Sequence, residues 1–75
     1  MTEQEVIEVF EMLGIPRRKK CKRGEPPNLW VKGDYWYIVE HGLLVIYRLE
    51  GNTYVSHQYL PVEELRDHDL MQMLT

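Results

Sequence analysis

The chain has few of the residues that form disulfides, metal sites or membrane anchors in other small proteins. It contains one cysteine, Cys21, so no disulfide can form within it, which favours a reducing compartment. One cysteine and three scattered histidines also lack the close spacing of a structural zinc site. We therefore predict no metal and no other cofactor.

Long apolar runs are also missing. A run such as residues 43–47 is far below the roughly 20 residues of a membrane-spanning helix. The first residues lack the basic segment and apolar stretch of a signal peptide. The sequence therefore predicts a soluble, cytoplasmic protein without a membrane partner.

The length limits the fold to one small domain. A chain of 75 residues buries a smaller fraction of its surface than a larger domain does, and without disulfides its stability is expected to be modest. Formation of a homodimer is one way to add buried surface. We predict a single domain over residues 1–75, with a basic loop containing proline and glycine at 16–28.

What the chain does have is an uneven distribution of charge. The net charge is −3, yet six of the seven residues from 17 to 23 are cations. Such a cluster favours contact with phosphates or with an acidic protein surface, and the simpler alternative is a solvated loop. We predict that the segment binds nucleic acid or another anion. Its cations are Arg17, Arg18, Lys19, Lys20, Lys22 and Arg23.

The residue pattern predicts an α+β fold that begins with a helix. Thr2 and Glu5 form a capping box, apolar residues recur at helical spacing, and Gly14 and Pro16 end a helix over 3–13. From residue 29 onward, β-prone stretches alternate with turns. They predict a small antiparallel meander of three or four strands at 29–31, 35–40, 43–49 and 53–59. A C-terminal helix is expected near 62–73, with a break near Asp67.

One local resemblance fails when it is extended. The stretch EVIEVFEMLGIPRR resembles the first helix and turn of a helix-turn-helix protein. The second helix would have to pass through the cationic run, where Cys21 is the only apolar anchor, and Gly24 and Pro26 would end it too soon. The pattern therefore disfavours this fold.

Aromatic and acidic residues supply a second set of candidates. The aromatic side chains either fill a small core or form an exposed face that stacks nucleic-acid bases or contacts a protein. Periodicity does not decide which sheet face is exposed. The candidate interface residues are Trp30, Tyr35, Trp36, Tyr37, Glu63 and Glu64.

Together these patterns predict a non-catalytic, regulatory binding protein that contacts nucleic acid or a nucleoprotein through residues 17–23. The alternative is an inhibitor or adaptor that binds a protein target through its acidic surface and aromatic sheet face. In size and composition the chain resembles accessory proteins of phages and mobile elements. No catalytic motif is present, and an enzyme with a Cys21–histidine nucleophile is the least supported of these hypotheses.

Overall fold

A computed structural model describes residues 1–18 and 29–75 and shows the predicted α+β class. The four strands form one antiparallel sheet in the order β1-β2-β3-β4. The elements are α1 (Glu3–Met12), β1 (Leu29–Lys32), β2 (Tyr35–Glu40), β3 (Leu43–Glu50), β4 (Thr53–Pro61), a 3-10 helix (Val62–Glu64) and α2 (Asp67–Leu74).

Helix α1 begins at the predicted capping box. The Thr2 hydroxyl accepts a hydrogen bond from the Glu5 amide at 3.2 Å, and the Glu5 carboxylate accepts one from the Thr2 amide at 2.9 Å. Hydrogen bonds from the Thr2 backbone and side chain to the Glu5 carboxylate favour its ionised form and so lower the pKa of Glu5. Gly14, at φ 69°, follows the helix. The helix ends at Met12, one residue before the predicted end.

Both helices pack on one surface of the sheet, which we call the helix face. Val6 and Phe10 of α1 are fully buried there, together with Leu70 of α2. The Phe10 ring stacks on Trp30 of β1, with centroids 4.8 Å apart and an interplanar angle of 15°. It also contacts Tyr37 of β2 at 5.4 Å. Aromatic packing therefore joins α1 to the two strands at one edge of the sheet.

The opposite surface of the sheet, the far face, carries a separate apolar cluster. Its buried members are Leu29, Ile38 and Val45, one from each of the first three strands. The half-buried side chains packed against them, Trp36 among them, also come from strands, and no residue of the described helices belongs to the cluster. The sheet therefore has apolar side chains on both faces, and the helices of the described residues cover one of them.

A β-bulge between β3 and β4 changes which residues share a face. Ile46 pairs with Gln58, while the next residue of β3, Tyr47, pairs with Ser56. His57 is therefore the additional residue of the longer strand. Tyr54 and Tyr59 are five positions apart and would lie on opposite faces of a regular strand. The bulge places both on the far face.

The C-terminal segment has the predicted break. The 3-10 helix ends at Glu64, and α2 begins at Asp67. Leu70 and Leu74 are buried against the sheet, with 0% and 2% of their surface exposed. These two leucines therefore belong to the core.

The aromatic contact of α1 gives the first prediction. Replacement of the fully buried Phe10 by Ala removes its contacts with Trp30 and Tyr37. Such a truncation costs about 3–5 kcal/mol, a large share of the roughly 5–15 kcal/mol that stabilises a small domain. Urea unfolding followed by circular dichroism should show the loss. Met12→Ala, at a side chain that is 69% exposed, is the control and should change stability by no more than about 0.5 kcal/mol.

The capping box gives a prediction about stability at low pH. Because folding lowers the pKa of Glu5, its stabilising contribution is present above the unfolded-state pKa and is lost as pH falls through the folded-state value. We expect Glu5→Gln to lower the urea midpoint at pH 7 and to reduce its decline below about pH 4.5. Thr2→Ala should have the same two effects. The double variant should lower the urea midpoint little further than either single variant. Fully additive effects would contradict a shared interaction.

Candidate nucleic-acid interface

The basic segment begins beside the edge strand of the sheet. Arg17 forms an antiparallel bridge with Trp30 of β1. The Arg18 amide donates to the Leu29 carbonyl at 2.9 Å, and the Val31 amide donates to the Pro16 carbonyl at 3.0 Å. Pro16 has no amide hydrogen to return that bond, so the pairing starts at this residue. The first residues of the predicted loop at 16–28 thus lie along the edge strand, and residues 19–28 of that loop lie outside the described residues.

This pairing directs the two arginines to opposite faces of the sheet, as expected for successive residues of an extended chain. The guanidinium carbon of Arg17 lies 5.3 Å from the ring centroid of Trp30, on the helix face. That of Arg18 lies 5.6 Å from the ring centroid of Trp36, on the far face. A cation at this distance from an indole ring is attracted by the negative face of the ring. Each arginine is thus held by a backbone contact and by a tryptophan.

The other predicted cations, Lys19, Lys20, Lys22 and Arg23, lie outside the described residues, as does Cys21. The residues that flank this part of the chain, Arg18 and Leu29, are joined by a hydrogen bond. The chain therefore leaves and re-enters the described structure at the same edge of the sheet, beside β1.

The structure separates the predicted aromatic candidates. Trp30 and Tyr37 are 0% and 4% exposed in the core below α1, so an interface role for these two is corrected to a packing role. Burial raises the pKa of Tyr37, and the electrostatic effect of the nearby Tyr35 raises it to a smaller extent. Tyr35 and Trp36 are half-buried, on the helix face and the far face respectively. The acidic candidates Glu63 and Glu64 are exposed.

Three far-face tyrosines were absent from the predicted interface set. Tyr47 lies beside Trp36 in the register of β2 and β3. Tyr54 stacks on Trp36, with ring centroids 3.9 Å apart and an interplanar angle of 23°. Tyr59 is 59% exposed. We call Trp36, Tyr47, Tyr54 and Tyr59 the aromatic quartet. Sequence alternation could have found Tyr47, but grouping Tyr54 with Tyr59 required the bulge.

Acidic charge is concentrated on the helix side. The two helices and the 3-10 helix carry eight of the twelve acids of the chain, and the cation nearest to them in sequence is Arg66, which precedes α2. Among the described strand residues of the far face, Glu40 is the one acid. An anionic ligand would therefore be repelled from the helix side and less opposed on the far face near Arg18.

Other chemistry-bearing groups are dispersed. Within residues 1–18 and 29–75, no three histidine, cysteine or carboxylate side chains come together as metal ligands. His57, displaced by the bulge, lies with its ring 6.1 Å from that of Tyr35. These two residues help to line a shallow hollow of about 200 Å³ that also contains Gln58 and Met73.

Comparisons with known proteins do not add a family. No protein-family model, curated protein or solved structure matches the chain. No helix in the described part is long and apolar enough to cross a membrane.

The edge pairing can be tested separately from the arginine side chain. Arg18→Pro removes the amide that donates to Leu29, and the Pro16 contact with Val31 should then open more often. We expect the Val31 amide to exchange hydrogen about tenfold faster. Arg18→Ala keeps the amide, so it should leave this rate within about twofold. Equal exchange in all three proteins, measured by NMR, would contradict the pairing.

Proposed function

We propose that this protein is a non-catalytic regulatory protein that contacts nucleic acid or a nucleoprotein through residues 17–23. The observation that carries the proposal is the fixed position of Arg17 and Arg18 at the sheet edge, each above a tryptophan. Arginine held in a defined place loses less side-chain freedom when it binds, and its planar group suits phosphate oxygens. The adjoining cations of the same run extend the positive charge along the sequence.

The charge distribution restricts the mode of contact. Helix α1 places its apolar side on the sheet and exposes acids such as Glu8 and Glu11. An acidic helix surface is repelled by phosphates, so α1 is poorly suited to lie in a DNA groove. Binding should then depend mainly on the nucleic-acid backbone and show little preference for sequence.

The test is titration with single-stranded and duplex oligonucleotides at two salt concentrations. Each phosphate neutralised contributes a slope of about −0.7 for single strands and about −0.9 for duplex in log affinity against log salt. Arg17→Gln with Arg18→Gln should therefore weaken binding and make the slope shallower by about 1.4 on single strands. Neutralising all six cations should abolish binding.

Glu63→Gln with Glu64→Gln is the control, because it removes two charges of the opposite sign from an exposed region. This variant should retain the salt slope of the parent protein. Absence of oligonucleotide binding at low salt would overturn the proposal. Binding that survives removal of all six cations would refute the role of the basic segment.

A specific feature favours the alternative of a protein-binding inhibitor or adaptor. A groove of about 300 Å³ lies between the end of β4 and α2, with Leu60, Leu65 and Met73 among its apolar lining and Glu64 and Asp69 at its polar positions. Such a lining suits a partner segment that carries both apolar and basic side chains. Here Glu64→Lys with Asp69→Lys should abolish partner binding, whereas changes at Arg17 and Arg18 should have little effect.

A further inference from the structure

We propose that the far face binds single-stranded nucleic acid by stacking bases on the aromatic quartet, with Arg18 at the edge contacting the phosphate backbone. This inference rests on the proposed function and specifies its ligand and its surface. The experiment below separates failure of the stacking surface from failure of nucleic-acid binding as a whole.

The first argument is the convergence of aromatic residues. Of the eight aromatic side chains in the chain, four lie on the far face. Trp36 and Tyr47 come from neighbouring positions of β2 and β3, while Tyr54 and Tyr59 share this face only because of the bulge at His57. The bulge therefore brings the two tyrosines of the edge strand β4 onto the same surface as Trp36.

The rings are partly accessible. Trp36, Tyr47 and Tyr54 are half-buried, and Tyr59 is 59% exposed. Tyr54 and Trp36 already form a stack at 3.9 Å, and Arg18 lies near the same indole ring at 5.6 Å. In proteins that bind single-stranded nucleic acid, the bases stack on such rings and cationic side chains contact the phosphate backbone. The far face presents both components together.

The register gives this surface a direction. The pairing of neighbouring strands places one row of residues across the sheet. It begins at Arg18, passes through Leu29, Ile38 and Val45, and ends at Tyr59. With neighbouring strands about 4.8 Å apart, the row is about 19 Å long. The central positions are apolar and buried, and the two ends carry a cation and an exposed aromatic ring. Because the central side chains are buried, a nucleic acid on this face would contact the cation and the exposed ring at the two ends of the row.

Charge and shape favour single strands over duplex. Stacking needs the flat faces of the bases, which are hidden in a duplex and accessible in a single strand. The far face has no described helix that could enter a groove. Its strands contribute one carboxylate, Glu40, whereas the helical elements on the other side carry eight acids. A polyanion is therefore repelled less on the far face than on the helix side.

The test compares three ligands of equal length: a single-stranded oligonucleotide, its abasic counterpart and the corresponding duplex. The abasic strand keeps the phosphates and loses the bases. If the quartet stacks bases, the full-length chain should bind the base-bearing strand between about 5-fold and 150-fold more tightly than the abasic strand. It should also prefer the single strand to the duplex.

Variants assign that difference to the far face. Tyr59→Leu and Tyr54→Leu should each reduce the preference for the base-bearing strand without changing affinity for the abasic strand. Tyr59→Phe keeps the ring and should restore the preference. Tyr35→Leu, which removes a half-buried tyrosine from the helix face, is the matched control and should leave the preference unchanged. Because Tyr59 is the most exposed of these, its variants keep the test valid if Tyr54→Leu does not fold.

The possible results are distinct. Equal binding of base-bearing and abasic strands, still reduced by Arg17→Gln with Arg18→Gln, would overturn base stacking and retain the proposed function. Tighter binding of duplex would also overturn it. No binding of any oligonucleotide at low salt would overturn both proposals and would favour a protein partner for the far face.

Discussion

The stack of Phe10 on Trp30 is the contact on which the rest of the structure depends. It joins the apolar side of α1 to the edge strand β1, and the centroids of the two rings lie 4.8 Å apart. The same indole ring lies beneath Arg17, and the residues around that arginine pair with β1. Packing of the core therefore also fixes the point at which the cationic run leaves the sheet. In a chain without disulfides, this one buried tryptophan links stability to the candidate site.

The sheet separates two chemical environments. On one side, helices cover the core and present most of the acidic side chains to solvent. On the other, all described members of the apolar cluster come from strands, and Arg18 and aromatic rings border it. Helices satisfy their own backbone hydrogen bonds and can carry charge on their outer side at little cost. Their acidic residues thus repel an anion more strongly than the opposite sheet face does.

Much of the fold could be predicted because its signals are local. The capping box, the glycine after α1 and the alternation of β-prone stretches with turns each depend on neighbouring residues, and the structure contains all of them. The candidate site was less predictable. Trp30 and Trp36 have similar local sequence surroundings, yet one is 0% exposed and the other half-buried. Burial depends on which face the helices cover, and that is a contact between distant segments.

The sequence by itself determined the helix–meander–helix order and the cationic run, because periodicity, turn residues and charge act over a few positions. Tertiary structure alone decided that Arg17 and Arg18 join the sheet edge on opposite faces. It also decided that Tyr54 and Tyr59 share a face, since a single additional residue at His57 reverses the alternation of β4. A bulge is defined by pairing with the neighbouring strand, and that pairing exists only once the chain has folded.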